Sequence, residues 1–102
     1  MTHYTKYMAD AARERRMWRA LAKAASGNTV YLLGWDERDT SAVFDMYVSA
    51  LESIGLDGSM WSARKANGNK RIRFENGGEI RFVSYRSQRL HGTRAGAVVM
   101  DA

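Results

Sequence analysis

The stretch RIRFENGGEIRFVSYRSQRLHGTRAGAVVMDA, residues 71–102, decides the fold. It begins with two short runs of alternating apolar and charged residues that flank Asn76-Gly77-Gly78. A basic linker follows, and then an apolar run that ends at Asp101. Alternation around a glycine-containing turn is typical of a β-hairpin, and a short apolar run is typical of a buried strand. The stretch therefore predicts a hairpin and one further strand.

The register of this hairpin follows from the requirement that its apolar residues share one side. A three-residue loop at 76–78 pairs Phe74 with Ile80 and satisfies this requirement. Gly78 would then take the left-handed position that closes the loop. On the opposite side, Arg73 would face Arg81, and such like charges repel each other unless neighbouring glutamates or a bound anion compensate them.

The segments before the hairpin predict two helices and a strand. A first helix is expected from about Thr5 to Ala25, with Gly27 just beyond its end. Val30–Leu33 is a short apolar strand, and Asp36 is placed to cap a second helix. Because strand, helix and strand follow one another, Val30–Leu33 and Ala97–Met100 are expected to be parallel neighbours.

The first helix carries an aromatic and methionine stripe at helical spacing, which predicts the face that packs on the core. Its members are Tyr4, Tyr7, Met8, Ala11, Trp18, Leu21, Ala22 and Ala25.

An apolar strand that ends in an acidic residue is how nucleoside triphosphatases hold the magnesium of their nucleotide. With this strand, residues 71–102 resemble the large subunit of phage DNA-packaging terminases and, more loosely, the DExx helicases. The resemblance extends more weakly over nearly the whole chain. The matching elements are the turn Asn76-Gly77-Gly78, the strand Ile80–Ser84, the motif Arg86, Ser87, Arg89, Leu90, Gly92, and the strand Ala95–Asp101.

The resemblance implies one α/β domain over residues 1–102. Its fold would be a small P-loop-NTPase-like partial core, with two helices packed on a short sheet of two parallel strands plus a β-hairpin. The chain departs from the family, because it has no G-x-x-x-x-G-K-[ST] phosphate-binding loop and Ala102 stands where a second acidic residue would follow Asp101. We therefore expect no ATPase activity, no cofactor and no metal site, with Asp101 a vestigial magnesium position.

The charge of the chain is concentrated around the hairpin. Residues 64–94 hold nine Lys and Arg against two acidic residues, within a net charge of +5. Such a segment attracts polyanions, although a solubilising surface is the open alternative. Tyr85 and Trp61 are close enough in sequence to stack on bases, and Trp35 follows a strand end, where open α/β sheets bind ligands. The residues predicted to bind nucleic acid are Arg71, Arg73, Arg81, Arg86, Arg89 and Arg94, with Lys70 beside them.

These patterns favour a non-catalytic, terminase-like phage protein that binds DNA without sequence preference. One alternative is a protein-interaction module or regulator that docks on a phage or host ATPase. A third possibility is ATPase work shared in an oligomer, in which another chain supplies the phosphate loop. An unpaired edge on Ala97–Met100 predicts a homodimer, formed through this edge or through exposed helix faces. The alternative is a monomer in which the first helix or residues 56–69 fold over the edge.

The composition also bears on location. The sequence contains no cysteine, so there is no disulfide framework. It has no apolar run approaching the ~18 residues of a membrane span and no signal-peptide pattern. We therefore expect no membrane association and a cytoplasmic location, in the host cell if the gene is phage-encoded.

Overall fold

The computed structural model describes residues 2–66, 69–85 and 97–102, with side chains described from residue 10 onward. In this part of the chain two helices and five strands form a mixed α/β fold. Neither of these two helices combines the length and the apolar character that a membrane span requires. The elements are α1 (Thr2–Ala25), β1 (Thr29–Gly34), α2 (Glu37–Ser53), β2 (Trp61–Ala66), β3 (Asn69–Phe74), β4 (Glu79–Ser84) and β5 (Val98–Asp101).

The strands form one sheet in the order β2-β3-β4-β1-β5. β1 lies in parallel between β4 and β5, with Val30 beside both Ile80 and Val98. The predicted parallel pairing of β1 with the last strand is therefore confirmed. The expectation of only two parallel strands is wrong, because the second hairpin strand, β4, joins β1 directly and makes three. β2, which the sequence pattern does not predict, extends the sheet beyond the hairpin by pairing antiparallel to β3.

Both helices pack on the same face of this sheet. On β1, Val30 and Leu32 point toward the helices, and on β4 so do Ile80 and Phe82. The ring of Phe82 makes T-shaped contacts with the rings of Phe44 and Tyr47 of α2, and the centroids in each pair are 5.3 Å apart. Burial of these apolar side chains is the main stabilising contribution of the two-layer arrangement.

α1 buries a different face from the predicted stripe. Leu21 is buried as expected, but Trp18 is 38% exposed and Ala22 and Ala25 are exposed. The predicted residues Tyr4, Tyr7 and Met8 lie outside the described side chains. The small residues Ala20 and Ala24, one helical turn apart, let α1 approach the sheet closely. A search for large hydrophobic side chains does not identify such a face. The face that packs on the sheet consists of Met17, Ala20, Leu21 and Ala24.

The hairpin keeps its apolar residues on one side, as predicted, but its register differs by two residues. Ile72 lies opposite Ile80, so the loop consists of residues 75–77. The amide of Phe74 donates to the carbonyl of Gly78 at 2.8 Å, and the left-handed residue is Gly77, with φ 95°, instead of Gly78.

Packing against α1 accounts for this register. The Asn76 side chain accepts a hydrogen bond from the Gly78 amide and donates one to the Ala25 carbonyl, at 3.0 and 2.6 Å. A Cβ atom on Gly78 would lie 1.8 Å from the carbonyl oxygen of Ala24. The loop is therefore fixed by the end of the helix as well as by its own turn residues.

The start of α2 is defined by its acidic residues. Asp36 is the N-cap and accepts a hydrogen bond from the Asp39 amide at 2.9 Å, as the sequence predicts. This hydrogen bond satisfies one of the backbone amides in the first turn of α2, which have no partner within the helix. Glu37, the first helical residue, pairs with Lys70 of β3, whose side chain is only 2% exposed.

Candidate nucleic-acid interface

The face of the sheet opposite the helices carries a row of arginines. Arg64 of β2 pairs in register with Arg71 of β3, and Arg71 pairs with Arg81 of β4. Side chains at paired positions lie on the same face of a sheet, with Cβ atoms about 5 Å apart. Arg73 lies on this face as well, opposite Ser62 on one side and Glu79 on the other. We call Arg64, Arg71, Arg73 and Arg81 the arginine face.

One carboxylate balances part of this charge. Glu79 is 12% exposed, and its Oε1 lies 2.9 Å from Nε of Arg81. Its Oε2 lies 3.6 Å from the guanidinium of Arg73. Among the described residues, no carboxylate lies within ion-pair distance of Arg64 or Arg71. Aligned like charges across strands destabilise a sheet, so the row favours a bound anion over an empty surface.

The structure brings together half of the arginines predicted to bind nucleic acid. Arg71, Arg73 and Arg81 share the arginine face, whereas Arg86, Arg89 and Arg94 lie outside the described residues. Arg73 and Arg81 are 51% and 43% exposed in their side chains. Their predicted direct opposition is wrong, because the register places Arg71, not Arg73, across from Arg81.

Three further residues near the hairpin differ from expectation. Lys70 points to the helix side and is buried, so it is not part of the arginine face. Trp61 is half-buried against the core and directs its indole N–H toward the Leu56 carbonyl at 3.5 Å. Arg64 was missed, because β2 itself was not predicted. β2 has no alternation of polar and apolar residues that would indicate Arg64, because Ala63 and Lys65 lie on its helix side.

A second group lies at the carboxyl ends of the three parallel strands. Trp35 follows β1, Tyr85 follows β4, and Asp101 ends β5. The two rings have centroids 6.4 Å apart at 53°, and they are 66% and 46% exposed. The backbone amide of Trp35 donates to Oδ2 of Asp39 at 2.9 Å, which fixes the chain as it turns into α2. We call Trp35, Tyr85 and Asp101 the aromatic edge.

Asp101 is held by a tyrosine. The Tyr85 hydroxyl donates to Oδ1 of Asp101 at 2.5 Å, and this hydrogen bond raises the pKa of Tyr85 above its usual value. Within the part of the chain that is described, no three His, Asp or Glu side chains are grouped so that they could hold a metal ion. The geometry that Asp101 has here is that of a hydrogen-bond acceptor beside two aromatic rings.

A third surface is an apolar groove between the two helices and the end of β3. It consists of two adjoining hollows of about 200 and 460 Å³ that share Ala25, Leu56 and Phe74. Partly exposed side chains, including Trp18, Ile54 and Met60, contribute to its walls. The groove contains little charge and lies on the helix side, away from the arginine face.

The arginine face is suited to phosphate groups, because guanidinium groups bind phosphate oxygens through pairs of hydrogen bonds. The aromatic edge is suited to planar rings, and the groove to apolar side chains. A scan of protein-family models and searches of curated proteins and of solved structures found no match to this chain.

Proposed function

We propose that this protein is a non-catalytic binding protein that holds the backbone of nucleic acid on its arginine face. The observation that supports this proposal is the alignment of Arg64, Arg71 and Arg81 across three neighbouring strands. A bound polyanion relieves the repulsion within this row. Each phosphate that an arginine neutralises also releases counterions from the nucleic acid, which favours binding. Among the described residues, no helix lies on this face that could enter a groove of DNA, so we expect binding without sequence preference.

Replacement of the three aligned arginines tests the proposal. In Arg64→Ala/Arg71→Ala/Arg81→Ala, affinity for DNA of unrelated sequences should fall about equally, and the plot of log K against log salt should flatten by about one unit per arginine. Fluorescence anisotropy titrations over a range of salt concentrations measure both quantities.

The matched control removes the same charge from the helix layer. Arg13, Arg15 and Arg19 of α1 are exposed, and their triple alanine variant also lowers the net charge by three. This control should keep the wild-type salt slope. If both triple variants lose affinity equally, the arginine face is not a site and only net charge acts.

A terminase-like origin remains part of the proposal. Its support is the parallel pairing of β5 with β1, with Asp101 at the carboxyl end. The absence of a phosphate-binding loop motif from the sequence supports a non-catalytic role, and we propose that the protein acts in the host-cell cytoplasm. Phosphate release from ATP that disappears in Asp101→Ala would contradict the non-catalytic role.

The apolar groove favours a second candidate function, which is a protein-interaction module. Exposed Trp and Met in a concave apolar surface are typical of protein contacts. The two functions differ in their salt dependence, because burial of apolar surface is not weakened by salt. An Ile54→Lys substitution should leave DNA binding intact and abolish any protein contact made through the groove.

A further inference from the structure

The aromatic edge and the arginine face lie on the same side of the sheet. In the pairing of β1 with β4, Tyr31 lies beside Arg81 and both point away from the helices. Asp101 lies beside Leu33, which has the same orientation as Tyr31. Tyr85 follows Arg81 by four residues, directly after the end of β4, and contacts Asp101. At about 3.3 Å per residue, the ring begins roughly 13 Å from the arginine row.

These two groups differ in the part of a nucleotide that they suit. The arginines attract phosphate. At the aromatic edge, the Asp101 carboxylate repels phosphate, and the exposed Trp35 and Tyr85 rings offer flat apolar surfaces. Bases stack on such rings without sequence preference, because every base has a π-face. Bases are accessible for stacking in a single strand, whereas in a duplex they are already stacked on one another.

We propose that the aromatic edge is a base-stacking site and that the protein therefore prefers single-stranded over double-stranded nucleic acid. The backbone lies across the arginine face, and one or two unpaired bases stack on Trp35 and Tyr85. The hydrogen bond from Tyr85 to Asp101 holds the tyrosine ring in place at the end of β4. This inference rests on the proposed function and adds the form of the nucleic acid that is bound.

The test compares one mixed-sequence oligodeoxynucleotide as a single strand and annealed to its complement. Wild-type protein should bind the single strand about tenfold more tightly, since stacking of a base on an aromatic side chain is worth roughly that factor or more. The single-strand complex should also retain more of its affinity at high salt, because stacking does not depend on released counterions. Equal affinity for both forms at every salt concentration would overturn the inference.

Substitution of Trp35 locates the site. Trp35→Leu should weaken single-strand binding about tenfold, leave duplex binding within about twofold, and remove most of the quenching of tryptophan fluorescence by the single strand. Trp35→Phe keeps a ring and should restore part of the affinity, which a purely structural role of the indole would not explain. Trp18→Leu is the matched control, since Trp18 is a partly exposed tryptophan on the helix layer, and it should change neither affinity.

The arginine triple variant distinguishes the two levels of the proposal. Loss of binding in that variant, together with no effect of Trp35→Leu, would overturn the stacking site and leave the proposed function standing. If the wild-type protein binds neither form of DNA, the proposed function fails and the stacking site fails with it. Circular dichroism and thermal unfolding of each variant show whether a lost affinity reflects lost folding.

Discussion

Gly78 lies where the hairpin touches the last turn of α1. A Cβ atom at this position would be 1.8 Å from the Ala24 carbonyl oxygen, and backbone atoms cannot move aside as a flexible side chain does. Gly78→Ala should therefore lower the free energy of unfolding by about 2–3 kcal/mol through overpacking. Urea unfolding followed by circular dichroism measures this change.

Gly58→Ala provides the control at the same scale. A Cβ atom there would meet nothing within 4 Å, so its effect should stay within about 0.5 kcal/mol. If Gly78→Ala is as stable as Gly58→Ala, the hairpin does not pack against the end of α1.

The sequence correctly predicts that arginines form the candidate interface, but it identifies only some of the arginines that lie there. Arg71, Arg73 and Arg81 are recognisable from the alternation in the hairpin, because apolar residues alternate with them on the opposite side. Arg64 could not be found in this way, since β2 has Ala63 and Lys65 on its core side and lacks an apolar signature. Lys70 has the charge of its neighbours but the opposite orientation, which only the strand parity reveals.

Among the elements, β3 is joined to α2 by the ion pair of Lys70 with Glu37. The Lys70 side chain is 2% exposed, so Glu37 replaces water as the partner of its ammonium group, whereas Glu37 itself is 45% exposed. Glu37→Gln should lower the free energy of unfolding by about 2 kcal/mol, less than the ~3–5 kcal/mol of a fully buried pair. Chemical unfolding at neutral pH measures the loss.

The matched control for this pair is the Lys65–Asp45 bridge between β2 and α2. Nζ of Lys65 lies 2.9 Å from Oδ1 of Asp45, and the two side chains are 48% and 60% exposed. Such exposed pairs contribute at most about 1 kcal/mol to stability. Asp45→Asn should therefore cost clearly less than Glu37→Gln. Equal losses in the two variants would show that burial of Lys70 does not strengthen its pair.

At the element scale, the register of the hairpin could not be predicted from the sequence. Registers that differ by two residues both keep Ile72, Phe74, Ile80 and Phe82 on one side, so hydrophobic alternation cannot separate them. The choice is made by Asn76 and Gly78 against the end of α1, a contact between residues 51 positions apart. The face of α1 was missed for a related reason, because Ala20 and Ala24 are selected by the closeness of the sheet.

For the whole molecule, the remaining question is self-association. β5 is the last strand of the described sheet, and Val99 on it is 49% exposed. Such an edge, like the apolar groove, favours contact with a second copy. We expect a homodimer of about twice the 11.5 kDa chain mass in light scattering at micromolar concentration.

Two substitutions locate the dimer contact. Val99→Lys should dissociate a dimer formed through β5, and Ile54→Lys should dissociate one formed through the groove. A monomeric mass for the wild-type protein would contradict the prediction of a dimer. Retained helical circular dichroism is required before either dissociation is attributed to the interface.

The junction between α1 and the hairpin also has a consequence for folding kinetics. The amide of Glu79 donates to the Asn28 carbonyl, and Asn76 donates to that of Ala25, so β4 starts from the end of the first helix. A hairpin alone forms in microseconds, but this one reaches its final register only after a chain segment of about fifty residues has closed on itself. Because this closure joins distant segments, it makes refolding slower than the local helices and turns would allow.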